Sequence, residues 1–168
     1  ISGWSSEEYN GTSWTDAGET PTQTSLGSSG GTVTAAIMAG GHTAPTNNQC
    51  YTWNGTSWAT SPATLAVGRQ GPGNMGGYTD LVVVGGLTEP TAPPSNWYAI
   101  TEAWNGSTFT EGSDLALARS VQGGGSGAPA TAGICFGGFY QNTASNQFTN
   151  STEEWNAPNY SIKTITSS

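Results

Sequence analysis

The sequence predicts an all-β chain built from repeated four-stranded antiparallel units, about three and a half of them in 168 residues. Three observations lead there. An aromatic-Asn-Gly element recurs four times, with its asparagines at 10, 54, 105 and 156. An apolar run ending in Gly-Gly sits between successive copies. Helical periodicity is absent, and glycine, at 25 residues, is too frequent for helices.

The elements follow in chain order. The turn element reads Tyr9-Asn10-Gly11-Thr12-Ser13-Trp14, then Trp53-Asn54-Gly55-Thr56-Ser57-Trp58, then Trp104-Asn105-Gly106-Ser107-Thr108-Phe109. It decays to Trp155-Asn156-Ala157-Pro158-Asn159-Tyr160. Asn-Gly between aromatic-flanked segments predicts a hairpin, because both residues accept positive φ and the flanking rings pair across the strands. The Gly-Gly element reads Ile37-Met38-Ala39-Gly40-Gly41, Val82-Val83-Val84-Gly85-Gly86 and Ile134-Cys135-Phe136-Gly137-Gly138. A short apolar run of this kind predicts a buried strand, and the glycines permit a sharp turn or a close approach. A third marker links Leu65-Ala66-Val67-Gly68-Arg69 to Leu115-Ala116-Leu117-Ala118-Arg119, with Thr24 in the equivalent place of the first repeat. Each unit then supplies four strands. Strand a follows the arginine, at 69–75 and 119–125. Strand b leads to Gly-Gly, at about 32–39, 78–84 and 131–136. Strand c leads to the turn, at about 49–53, 98–104 and 150–155, and strand d follows it, at about 57–60, 108–111 and 160–164.

Four strands per unit, a period near 50 and Gly-Gly after the second strand together resemble the kelch repeat. That resemblance covers nearly the whole chain and implies a β-propeller. The form Thr152-Glu153-Glu154-Trp155-Asn156 is similar to a variant found in virion and secreted proteins of marine phages and bacteria. The implied division of the single domain 1–168 is a half blade at 1–20, then blades at 21–62, 63–112 and 113–168. A propeller needs about four to eight blades. Either this is part of a longer chain or several chains share a ring. The unpartnered half blade favours the longer chain, and the first residue, Ile1 rather than Met, fits either a processed chain or a piece of something longer.

Composition excludes whole classes of function. The net charge is −8 and the basic residues are Arg69, Arg119 and Lys163 alone, so no cationic footprint for nucleic acid or for an anionic membrane exists. The longest strongly apolar run, Leu81 to Val84, falls far short of the roughly 20 residues that insertion in a bilayer needs. The one histidine, His42, has no triad or metal-site partners at a recognisable spacing. Galactose oxidase, which shares the propeller architecture, needs more than one histidine for its copper, so that activity does not carry over. No cofactor, no metal and no catalytic residue is expected.

The carboxylates Glu7, Glu102 and Glu153 recur at one repeat position, which points to structure rather than to glycoside hydrolysis; they are expected to meet Arg69 or Arg119. Cys50 and Cys135 belong to different strands and are expected to be structural, without a bond between them. Five sequons begin at Asn10, Asn54, Asn105, Asn150 and Asn159, and turn chemistry explains three of them.

The informative feature is the set of b–c loops, 42–49, 87–99 and 139–151, which vary while the Asn-Gly turns stay constant. They carry Asn47, Asn48, Trp97, Tyr98, Phe139, Tyr140, Asn142 and Phe148. Rings beside amides suit recognition of a sugar or a protein surface. Covering of blade edges explains them equally well. Glu89-Pro90 and Pro93-Pro94 stiffen the middle loop. The expected function is a non-enzymatic structural or adhesion module, extracellular or on a virion surface, such as a fibre or surface appendage. It would bind a protein or glycan through this loop face and associate with itself or with further blades. The alternative is a lectin-like carbohydrate-binding propeller, against which the dissimilarity of the three loops counts.

Overall fold

The computed structural model describes residues 4–43, 46–88, 96–120, 123–125, 131–141, 146–156 and 161–165. These form antiparallel strands, and no helix occurs among the described residues. Strands β1 (Ser5–Tyr9) and β2 (Trp14–Glu19) form an isolated hairpin. The first sheet holds β3 (Ser28–Thr32), β4 (Ala35–His42), β5 (Thr46–Trp53) and β6 (Trp58–Thr64) in sequence order. The second holds β7 (Gly73–Met75), β8 (Val82–Val84), β9 (Thr101–Trp104) and β10 (Phe109–Glu111). The third orders β11 (Gly123–Gly125), β12 (Ala132–Phe136), β15 (Thr152–Asn156) and β16 (Ser161–Ile165). A separate hairpin, β13 (Phe139–Gln141) with β14 (Asn146–Phe148), is inserted between β12 and β15.

Alternation along the strands gives two cores. Ile37, Ala39, Cys50, Leu65, Val83 and Trp104 fill one, between the first and second sheets. Met75, Val82, Val84, Leu115, Cys135 and Trp155 fill the other, between the second and third. Strand β8 serves both: Val83 faces one way while Val82 and Val84 face the other, as a period of two demands. Burying both faces requires a continuous apolar run, which Val82-Val83-Val84 supplies.

The leading strands lie side by side, β7 against β3 on one flank and β11 on the other. Ser28 Oγ donates to Gly73 O at 3.1 Å and Asn74 Nδ2 to Ser29 O at 2.7 Å across the first of these boundaries. Glycine makes the approach possible: a Cβ on Gly30 would lie 3.0 Å from Gly76 O and 3.1 Å from Gly77 O. The sheets are also stitched higher up. Gly41 N donates to Arg69 O and Gly86 N to Arg119 O, each at 2.8 Å, so the amide of a second glycine reaches the next sheet at each boundary.

The aromatic-Asn-Gly turns close by a different device from the one expected. Only the glycines Gly11, Gly55 and Gly106 have positive φ; the asparagines do not. Each asparagine acts through its side chain. Asn54 Oδ1 accepts the amides of Thr56 and Ser57, both at 2.9 Å, and Asn10 and Asn105 do the same in their turns. The loop is four residues long, so the flanking rings meet as partners: Tyr9 with Trp14, Trp53 with Trp58, Trp104 with Phe109. Asn54→Ala removes both bonds and is expected to cost about 1 kcal/mol of stability in urea denaturation. An unchanged midpoint would refute the side-chain account of the turn.

Two loop boundaries are corrected. The segment 42–49 is mostly strand, because β4 runs on to His42 and β5 starts at Thr46, with the register shifting between Ala39 and Gly41. The segment 139–151 contains the β13–β14 hairpin. Glu89-Pro90, Pro93-Pro94, Asn142 and Asn159 lie outside the described residues.

Candidate functional site

The repeated carboxylates are held in two buried clamps. Glu102 Oε1 takes Arg69 Nη1 at 2.6 Å, and Glu153 Oε1 takes Arg119 Nη1 at 2.8 Å. The other oxygen of each closes a loop: Glu102 Oε2 accepts Ala66 N, and Glu153 Oε2 accepts Ala116 N, both at 2.9 Å. Both arginines are fully buried. Carboxylates engaged in this way tie strand c to the segment leading into strand a of their own sheet. Both carboxylates are buried together with their arginines. Bridges Ser25 to His42, Gln70 to Leu87 and Ser120 to Phe139 place Thr24, Arg69 and Arg119 at one repeat position. In the first sheet Thr24 and Tyr51 stand where the other sheets have Arg and Glu, so both charges are replaced together. Glu7, the third carboxylate of the series, is exposed.

Both cysteines are buried and free. Burial pushes the Cys50 thiol up to about 12. Burial also raises Cys135, with Arg119 Nη2 approaching its sulfur at 3.5 Å and offsetting part of the rise. A thiol raised in the folded state stays protonated where the unfolded chain loses its proton. Stability is therefore retained at neutral pH and falls as pH rises through the usual thiol range near 9. At pH 8 neither thiol is expected to react with an aromatic disulfide reagent until denaturant is added, when both react. Prompt labelling of the folded protein would contradict this placement.

The face bearing the b–c loops holds the remaining candidates. Trp97, Phe139 and Phe148 form a tilted stack, with ring centroids 5.2 Å apart for Trp97 and Phe139 and 5.4 Å for Phe139 and Phe148. Trp97 belongs to the second sheet's loop and the two phenylalanines to the β13–β14 hairpin, where they are direct cross-strand partners. Phe148 is 85% exposed. Tyr98 and Tyr140 are half-buried nearby in sequence, and the Tyr98 backbone bonds to Gly86 O and Arg119 N.

Asn47 and Asn48 use their amides internally. Asn47 Nδ2 donates to Thr43 Oγ1 at 3.1 Å and its Oδ1 accepts Gln49 N at 3.1 Å. Asn48 Nδ2 donates to Leu65 O at 2.9 Å. Sequence reasoning brought together Trp97, Phe139 and Phe148 as loop residues, and the structure puts them in one stack. It missed a cleft of about 470 Å³ at the first sheet, lined by Trp4, Pro21, Thr22, Thr24, His42 and Thr43. Its only signal is the substitution of the small Thr24 where the later repeats have a long Arg.

A second cleft, of about 330 Å³, lies at the opposite, Asn-Gly end, between the β1–β2 hairpin and the first sheet, with Trp53, Trp58 and Val33 in its wall. A smaller one of about 240 Å³ recurs between the first and second sheets, walled by Pro62, Tyr78 and Trp104. Recurrence at successive boundaries marks these clefts as a result of the splay between twisted sheets. Among the described residues no group of three or more His, Cys, Asp or Glu could hold a metal ion.

No family model matches the chain, and no curated protein does. The chain is similar in structure to YjhT, with a TM-score of 0.72 over 91% of this chain at 12% identity. The match spans 49% of YjhT, so the chain covers about half the length of that protein. At that identity the likeness concerns the fold alone.

Proposed function

We propose that the chain is part of a kelch-like β-propeller acting as a non-enzymatic adhesion or structural module, extracellular or on a virion surface, that holds a protein or glycan through its b–c loop face. The observation that carries this reading is the Trp97–Phe139–Phe148 stack, which joins two loops and leaves Phe148 85% exposed. A ring stacked against its neighbours loses little entropy on binding and offers a flat apolar surface to a sugar face or a protein side chain. The propeller reading is supported by glycine-rich leading strands lying side by side and by neighbouring sheets that share cores face to face.

The test is binding of the purified protein to a panel of immobilised polysaccharides and protein-coated surfaces. Phe148→Ala is expected to weaken any saturable binding by about tenfold without moving the melting temperature, since so exposed a ring contributes little to folding. Retained affinity in that variant would overturn the assignment. A lectin-like reading is favoured by the cleft at Trp4, where a ring stands beside threonine hydroxyls. Binding of simple oligosaccharides that survives Phe148→Ala and is lost in Trp4→Ala would select it.

A further inference from the structure

Leu26 takes a backbone shape that its side chain disfavours. Its φ is 57°, and it is the one non-glycine residue with positive φ among the described residues. It lies in the loop from β2 to β3, directly after Ser25, which is bridged to His42. The second sheet reaches the same point with Gly71, directly after Gln70, which is bridged to Leu87. Gly71 has a φ of 59°, and glycine makes this turn without steric cost. The backbone work done at Leu26 is to accept Gly71 N at 2.8 Å through its carbonyl, which any residue can do. The third counterpart, Val121, lies outside the described residues.

Burial does not account for the leucine either. It is 60% exposed and belongs to neither core. An aliphatic chain left in water at a strained backbone position points to a contact beyond the fold. The loop from β2 to β3 opens at the same end as the b–c loops, as the Ser25–His42 bridge requires. Short backbone ties lead from Leu26 to the aromatic stack. Gly71 N bonds Leu26 O, Gln70 exchanges bonds with Leu87, and Leu87 is bridged to Trp97. Among the described residues of the loops at this end, Asp114 is the one carboxylate, and both arginines are buried.

We propose that Leu26 is a partner-binding residue of the loop face, kept there against the preference of its backbone, and that the partner is a protein presenting an uncharged apolar pocket. This rests on the reading of the loop face as the binding face and selects protein over glycan. A leucine has no flat ring for the C–H face of a sugar and no group to bond its hydroxyls. A branched aliphatic side chain is matched by the side chains of a protein pocket. A face so poor in charge makes its contacts without ion pairs. Its affinity is therefore expected to change little between about 50 and 500 mM salt.

The probe is a library of short random peptides displayed on phage and panned on the immobilised protein. Selected peptides are expected to be rich in apolar residues and, once synthesised, to compete for one site in calorimetric titration. Leu26→Asn and Leu26→Gly are each expected to weaken them by about tenfold, and Leu26→Met to retain the affinity. Asparagine and glycine accept this φ more readily than leucine, so neither variant is expected to lower the melting temperature. Loss of binding without loss of stability is what a packing residue would not give. Selection of no peptide, or of peptides indifferent to both substitutions, overturns the proposal. So does a melting temperature lowered by more than about 3 °C in both variants, which would make the leucine a packing residue. Neutral oligosaccharides bound by the protein and lost in the Leu26 variants would put a glycan in the place of the protein partner. Peptides lost in Phe148→Ala but indifferent to Leu26 overturn this assignment alone. Peptides indifferent to all three positions' variants overturn the loop-face reading with it.

Discussion

Arg119→Ala is expected to lower folding stability by about 3–5 kcal/mol. The guanidinium is fully buried, and its removal leaves the Glu153 carboxylate, 1% exposed, without a counter-ion. It also empties volume beside Cys135 and loosens the Glu153 contact to Ala116 N. Glu153→Gln keeps the shape and a neutral acceptor but strands the arginine, so it is expected to fall in the same range. Replacing both partners by apolar residues of similar size, as in Arg119→Met with Glu153→Leu, is expected to recover much of the loss, because the desolvation cost of the two ions goes with them. The first sheet already shows an uncharged version, with Thr24 and Tyr51 in the two places. Urea denaturation of the three variants decides the matter: a shift below about 1 kcal/mol for Arg119→Ala would mean that the clamp contributes nothing the core does not.

Trp104→Ala is expected to cost about 3–5 kcal/mol, while Trp14→Ala costs less than about 0.5 kcal/mol. The two residues flank equivalent turns from opposite sides, Trp104 before its turn and Trp14 after its own, and each pairs with an aromatic partner across it. Trp104 is 5% exposed, lies in the core between the first and second sheets, and donates its indole N–H to Tyr78 O. Its loss creates a cavity and strands a carbonyl. Trp14 is 65% exposed and rests on the Tyr9 ring. Thermal melting of the two variants side by side measures burial with the turn as an internal control. Equal losses would show that the turn, rather than the core, is the source of stability for the rings that flank it.

The repeat made most of the fold legible. Gly-Gly after an apolar run marked β4, β8 and β12, and the aromatic-Asn-Gly element marked the hairpins that follow. The Arg–Glu partnership was legible because both residues recur at fixed places, although only Glu102 and Glu153 of the three glutamates meet an arginine. What escaped were elements whose identity depends on neighbours rather than on their own composition. Strand β3, Ser-Ser-Gly-Gly-Thr, has little intrinsic β propensity and exists because β4 and β7 flank it. The β13–β14 hairpin is three residues a side, too short for alternation to stand out, and its register sets Phe139 opposite Phe148. The asparagine turns were placed correctly but for a reason only half right, since the glycine takes positive φ while the asparagine closes the turn through its side-chain oxygen. At the candidate site, the rings of the stack were visible as residues but their assembly across two loops was not.

The clamps have one further consequence, for proteolysis. Trypsin-type proteases must draw a lysine or arginine side chain out into a deep acidic pocket and hold several flanking residues extended. Of the three basic residues in the chain, Arg69 and Arg119 are fully buried, each gripped by a carboxylate, and their backbone carbonyls are bonded to the neighbouring sheet. Cutting at either position requires that sheet to open first. The residues that stabilise the sheets are thus also the ones such a protease would have to seize, and digestion at Arg69 or Arg119 would proceed at the frequency with which the sheets come apart.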